Sequence, residues 1–262
     1  MKEYKVYWWE NESAKNNWGD VVNRYIISKM SNKPIESIIR DTESPGVLRA
    51  IGSVMHHGIK EGDTIWGTGS IHNAPLPKDL NLDIRAVRGP LTRSLLIKNG
   101  YECPEIYGDP ALLMPRFYNP TVERTNIVGI IPHFSEIDNP ITISMLERHP
   151  YLKLIDIRLG YEEFIDSLKS VEYVLSSSLH GLIAADAYGI KNAKIDIPGP
   201  QHKGNAWKYM DYFASVNRMS HLGNVLTMTT KLQDLTDAAK WNHNIDIDLD
   251  SLVDSFPSEL FA

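Results

Sequence analysis

Cysteine occurs once, at Cys103. A single thiol excludes an internal disulfide and a cysteine-built metal centre, and such usage fits a reducing cytoplasm. The nine histidines supply no substitute: His56 and His57 are adjacent, no HExxH or HxH-plus-carboxylate pattern occurs, and no metal is expected. Long apolar runs are missing as well. No stretch approaches the roughly 20 apolar residues that a bilayer-spanning helix needs, and the opening MKEYKVYWWENESAKNN turns polar too soon for a signal peptide. Any membrane contact is expected to be peripheral, at the inner face. Basic residues are outnumbered, 27 Lys and Arg against 33 Asp and Glu, giving a formal net charge of −6. Nucleic acid is therefore not an expected partner, because phosphate backbones need a basic face, whereas a small anionic ligand stays compatible. Fixed-period repeats and low-complexity linkers are absent too.

What is present is alternation. Short apolar runs alternate with helical patterns, the signature of βαβ units and a parallel sheet, so the expected fold class is α/β. Strands are predicted at 4–9, 48–53, 64–66, 84–87, 126–131, 152–156, 172–175 and 193–196, and helices at 20–30, 90–99, 161–169, 180–188 and 206–215. Pro90 suits a first helical turn, and Gly100 and Gly189 suit the position beyond a helix end. The Pro-containing stretch 115–124 reads as a connection between an N-terminal half, 1–120, and a C-terminal half, 121–262, whose tail is free to pack back on the first. Periodicity alone does not separate two halves from a single sheet of eight strands.

The polar motifs fall at strand ends, where open α/β sheets bind ligands. Most informative is SSSLHGLIAADAYGI, residues 176–190, where a Ser-rich turn follows an apolar run and opens a helix that reads as amphipathic. Free N–H groups and the positive end of a helix dipole suit phosphate or carboxylate there, with Ser178, the Leu179 backbone and His180 as donors. The plain alternative is that the serines cap the helix and His180 is a buried, hydrogen-bonded histidine. Asn17, Gly19 and Asp20 open the first helix, Gly19 allowing close approach and Asp20 being either an N-cap or an acid/base carboxylate. Gly67, Thr68 and Gly69 follow a strand and are either an anion-facing turn or a plain tight one. They lack the Lys of a Walker loop and the third glycine of a dinucleotide fingerprint, so neither ATP nor NAD is expected. Arg85, Arg88 and Arg93 flank a strand-to-helix turn and would grip an anion bidentately, Arg88 foremost. Asp109 reads as a helix cap, as a carboxylate fixing that turn, or as a direct participant.

These motifs stand in one order: NNWGDVVNRYII, WGTGSI, AVRGPLTRSLL, YGDPALLMP and the Leu-His-Gly segment. Over roughly residues 5–215 the chain resembles the polysaccharide pyruvyl transferase family. The resemblance implies two Rossmann-like halves facing across a cleft, an arrangement called GT-B-like. It implies transfer of the enolpyruvyl carbons of phosphoenolpyruvate, as co-substrate and without further cofactor, onto two hydroxyls of a surface polysaccharide or its precursor. A cyclic pyruvate ketal and phosphate result, and a lipid-linked acceptor stays open. Carried onto this sequence, Asn17, Gly19, Asp20, Gly67, Thr68 and Gly69 line the cleft, Lys208 and Lys203 lie in a matching C-terminal segment, and Asp20 and His180 are the acid/base candidates. The donor falls to Arg88, Arg93, Ser178, Leu179 and His180.

In one respect the chain departs from the family pattern: Ser178 stands where many members carry an arginine before the Leu-His pair. Either another cation compensates or the donor site is altered. Two rival readings follow: a GT-B glycosyltransferase using a nucleotide sugar, and a non-catalytic saccharide-binding relative, which the Ser178 substitution favours.

Overall fold

The computed structural model describes residues 5–10, 16–35, 46–199, 206–218, 224–240 and 245–262, the side chains of 238 and 240 apart. Tyr4 of the first expected strand, and Lys203, lie outside these residues. The architecture is α/β with two parallel sheets, as the alternation of runs predicts. The first sheet has the order β1-β2-β3-β4, with β1 Val6–Tyr7, β2 Leu48–Arg49, β3 Thr64–Trp66 and β4 Asp83–Ala86. The second has the order β6-β5-β7-β8-β9, with β5 Val128–Ile131, β6 Leu152–Leu154, β7 Tyr173–Ser176, β8 Asn192–Asp196 and β9 Asn224–Val225. Val128–Ile131 is buried throughout, which explains why VGII is continuously apolar and not alternating.

The order of the second sheet positions the site. From β5 the chain moves outward to β6, then crosses back to place β7 on the other side of β5. Progression reverses between β5 and β7, and the carboxyl ends of two such strands form the crevice where doubly wound sheets hold ligands. Those ends are Ile131 and Ser176, which pair with one another.

The helices are α1 Trp18–Ser31, α2 Pro90–Lys98, α3 Pro140–Arg148, α4 Tyr161–Lys169, α5 Leu179–Ala187, α6 Ala206–Ser215, α7 Leu232–Lys240 and α8 Leu249–Asp254. A 3-10 turn runs through Pro110–Arg116. One expectation is corrected: α5 is not amphipathic, since every residue from Leu179 to Asp186 is buried. It is enclosed by its own sheet, by the 3-10 turn and by α1, so no side is left for solvent. One apolar cluster runs through both sheets, joining Val6 and Trp66 to Ile131, Phe164, Leu182 and Tyr212. The C-terminal segment packs on the first sheet, where the Trp66 indole donates to the Leu252 carbonyl at 2.9 Å.

Helix α6 is fixed at three positions. Tyr209 donates its hydroxyl to the Ser177 carbonyl at 2.6 Å, and Tyr212 donates to Asp186 at 2.8 Å. Between them, Asp211 receives Arg88 at 3.0 Å and the Thr92 hydroxyl at 2.7 Å. Gly89 makes this approach possible, since a Cβ there would stand 2.0 Å from the Asp211 carbonyl oxygen.

Candidate functional site

The turn from β7 into α5 satisfies itself before the helix begins. Ser176 donates its hydroxyl to Ile131 O and accepts from Ser178 N, while Ser177 donates to Glu136 at 2.5 Å and accepts from His133 N. Ser178 takes the N-cap position, yet its side chain makes no capping bond. The first bond of the helix runs from Leu182 N to Ser178 O, and the N–H groups of Leu179, His180 and Gly181 donate to no acceptor among the described residues. These donors, at the positive end of α5, form an anion-receptive group at the strand-order reversal. Gly181 is needed for its tightness, because a Cβ would lie 2.4 Å from the Ser176 hydroxyl oxygen.

His180 reaches from this turn to the start of α1. A Cβ on Gly19 would fall 1.9 Å from His180 Nδ1, so Gly19 is the residue that lets the imidazole lie against the α1 backbone. Asp20 is the next residue, and Asn17 donates to its carboxylate at 2.5 Å. Burial raises the Asp20 pKa to about 6, with the His180 and Lys208 charges and the Asn17 bond pulling the other way. Gly52, after β2, closes the far side, its Cβ position 3.5 Å from Asp20 Oδ1. Asp109, fully buried, faces His180 from the first sheet, with Oδ2 at 3.5 Å from Nε2.

Lys208 supplies the positive charge. No hydrogen bond or ion pair engages its ammonium among the described residues, although it lies 5.2 Å from the Tyr209 ring centroid. Protein crowding around the ammonium, more than the neighbouring Arg88 charge, pulls its pKa down to about 8, while Asp20 and Glu136 act to raise it. His133, at the end of β5, is held near a pKa of about 4 by burial first and then by the Lys208 and His180 charges, so it is neutral at pH 7. Asn17, Gly19, Asp20, Ser178, Leu179, His180 and Lys208 therefore converge, as three segments of the chain meet.

Other expected residues are engaged in bonds of their own. Arg88 is fully buried, and its guanidinium donates to Asp211, to the Ser53 hydroxyl at 2.6 Å and to the Ser70 carbonyl at 2.7 Å. It is a tie between the turn before α2 and helix α6, not an open grip. Arg93 donates to the Cys103 carbonyl at 3.1 Å, and Arg85 pairs with Asp83 and Glu259. Three guanidiniums near one strand end thus have three separate partners. Gly67, Thr68 and Gly69 form a packed turn: Gly67 N donates to Ala86 O, Gly69 N to Gly52 O, and the Thr68 hydroxyl to Gly52 O. Their donors face inward, and a Cβ on Gly69 would stand 2.3 Å from the Arg88 guanidinium carbon.

Sequence reasoning did not single out His133, Glu136, Gly52 or Ser53. A signal existed for the first two, because the apolar VGII run ends in polar IPHFSE, a strand end like the others. Gly52 and Ser53 matter only through contacts made at long sequence separation.

Fold and site together describe an α/β protein of two parallel sheets with an open, cation-flanked helix start at a strand-order reversal. Residues 78–197 match the family model described as polysaccharide pyruvyl transferase, so the resemblance carried by the motifs is borne out over that stretch. Among curated proteins the chain is similar to the succinoglycan biosynthesis protein ExoV of Rhizobium meliloti, 25% identical over 219 residues. That match covers 79% of this chain and 63% of ExoV, so the chain spans less than two thirds of that relative. It is also similar to the uncharacterized protein L143 of Acanthamoeba polyphaga mimivirus, 25% identical over 205 residues, 76% of this chain and 70% of that one. The crystal structure of the functionally uncharacterized protein KP1_0663 from Klebsiella pneumoniae superposes with a TM-score of 0.46 at 13% identity, over 86% of this chain and 93% of that chain. Among the described residues no helix is long and apolar enough to cross a membrane.

Proposed function

We propose that the protein transfers pyruvate from phosphoenolpyruvate to a hydroxyl pair on a saccharide, an exopolysaccharide or capsule unit or its precursor, at the cytoplasmic face of the membrane. The observation that carries this reading is the convergence of Asp20, His180 and the unpaired Lys208 on the open start of α5. The donor has two anionic groups, and the site offers two kinds of anion receptor, free backbone N–H groups and an ammonium. Lys208 takes the place of the arginine that Ser178 replaces. Arg88 contributes indirectly, as a buried charge behind Lys208 that anchors α6. The two halves, 1–120 and 121–262, each bring part of the machinery.

The chemistry requires a proton on the methylene carbon, which turns the enol carbon into an oxocarbenium-like centre. One sugar hydroxyl bonds to that carbon and loses its proton. The carbon–oxygen bond to phosphate then breaks, and the second hydroxyl takes its place, its proton leaving with hydrogen phosphate. Two alcohols and phosphoenolpyruvate thus give the ketal and one phosphate. His180 as imidazolium delivers the carbon proton, and Asp20, with a pKa just below neutrality, accepts the proton of the attacking hydroxyl. Lys208, the α5 N–H groups and the Ser178 hydroxyl stabilise charge on the departing phosphate.

Incubation of the protein with phosphoenolpyruvate and oligosaccharides of galactose, mannose, glucose or N-acetylhexosamine tests the reading, with phosphate release and the ketal methyl signal followed by NMR. Both signals are expected to rise together. Release of a nucleoside diphosphate from a sugar nucleotide instead would establish glycosyl transfer.

A further inference from the structure

We infer that Asp109 is the positioning residue of His180, fixing which imidazole nitrogen carries the exchangeable proton. Asp109 lies in the GDP segment after the first sheet and is fully buried. Its two oxygens have different tasks. Oδ1 accepts from Ala111 N at 3.0 Å and caps the 3-10 turn, so the carboxylate cannot rotate freely. Oδ2 has no hydrogen-bond partner of its own, and neither does the buried His180 Nε2 that stands 3.5 Å away. Two complementary buried atoms that face one another and nothing else form a contact that is long in the free protein and shortens when ligand packs the imidazole from the other side.

The consequence is directional. A carboxylate accepts and does not donate, so Nε2 must carry a hydrogen toward Asp109. Nδ1, on the edge lying against Gly19 beside Asp20, is then the nitrogen that gains and loses a proton. Asp109 also stabilises the imidazolium formed when Nδ1 is protonated, in the manner of a carboxylate behind a catalytic imidazole. The residue touches no substrate; it acts through His180. The kinetic consequence rests on the pyruvyl transfer reading, whereas the tautomer does not.

The test is Asp109→Asn, with Asp109→Ser beside it. In the Asn variant the Ala111 N–H still demands an acceptor, which orients the amide so that its oxygen keeps the cap and its NH2 faces Nε2. A donor there forces the Nδ1–H tautomer. Nitrogen-15 NMR of ring-labelled full-length protein is expected to show Nε2–H in the wild type and Nδ1–H in Asp109→Asn. In transfer assays kcat should fall on the order of 10²–10⁴-fold while the KM for phosphoenolpyruvate changes by less than about threefold. Asp109→Ser keeps a capping oxygen but presents nothing to Nε2, and should show a tautomer mixture with an intermediate kcat. A wild-type His180 in the Nδ1–H form overturns the inference without any variant being needed. So does an Asn variant with the wild-type tautomer or an undiminished kcat. A protein with the expected tautomers but no pyruvyl transfer would uphold the Asp109 link and reject the proposed reaction.

Discussion

Arg88 and Lys208 bring positive charge to the same corner of the molecule, and the fold treats them in opposite ways. Arg88 has no exposed surface and holds Asp211, Ser53 and Ser70 with its guanidinium. Lys208, on the helix that Arg88 anchors at Asp211, has no ion-pair partner among the described residues and a pKa pulled down to about 8. A cation with satisfied donors is cohesive; one left unpaired in crowded protein is destabilising until an anion arrives. The same contrast separates two glycine-bearing turns. In the 67–69 turn Gly67 N, Gly69 N and the Thr68 hydroxyl are bonded, whereas the N–H groups of 179–181 have no acceptor among the described residues. On the proposed reading, structure and ligand binding are divided between residues of like chemistry, and substitutions at each should fail in different ways.

The widest separation is expected between His180 and Arg88. His180→Ala should lower transfer on the order of 10²–10⁴-fold through loss of the acid, with a melting temperature close to the wild type. A variant melting several degrees lower yet turning over normally when folded would remove His180 from the mechanism. Arg88→Ala should instead destabilise by about 3–5 kcal/mol, because Asp211 is left as a buried uncompensated charge. Denaturant titration checks the stability, and transfer per folded molecule should be largely kept. If Arg88→Ala proves stable but inactive, the contrast between the two cations collapses.

A smaller effect, of opposite sign on stability, is expected at Asp20. Its pKa in the folded protein, about 6, lies above the ordinary 3.8, so the folded state binds this proton more tightly than the unfolded chain does. Stability is therefore lost as pH rises from about 4 to about 6, and the full penalty, about 3 kcal/mol, applies at neutral pH. Asp20→Asn should be more stable than the wild type above pH 6, lose that advantage below pH 4, and transfer poorly throughout. Lys208 works in the reverse direction: its depressed pKa destabilises the protein while the ammonium is charged, and the penalty fades only as pH rises from about 8 toward the ordinary 10.5. Activity should accordingly follow a bell, rising near pH 6 as Asp20 ionises and falling near pH 8 as Lys208 loses its charge. An activity limb displaced by more than a pH unit from either value would assign it to another group.

How these assignments stood in the sequence depended on whether local chemistry or distant contact decided them. The placement of Asp20 and His180 is legible because each sits at a helix start following a strand, a pattern that hydropathy reveals. Helices 161–169 and 206–215 came through with their boundaries for the same reason. The pairing of Arg88 with Asp211 is hidden in the sequence because the partner lies on another element, and no local pattern reveals it. The unpaired state of Lys208 is hidden for the mirror reason, since being unpaired is a tertiary property. Helix α3 went unread although Asn139 caps it and Pro140 fills its first position, signals the sequence did contain. The inward face of the 67–69 turn was hidden because a Gly-rich turn looks alike whether its donors point toward a ligand or into the core.

The contrast is tested most directly by calorimetric titration of phosphoenolpyruvate into the wild type, Lys208→Met and Arg93→Ala at pH 7, where no acceptor or turnover is needed. Losing a charge-assisted contact should weaken binding by about 10- to 100-fold in Lys208→Met, whereas Arg93→Ala, whose guanidinium serves the Cys103 carbonyl, should bind as the wild type does. Wild-type affinity in Lys208→Met, or a loss confined to Arg93→Ala, would contradict the assignment of the donor's anion site to the open start of α5.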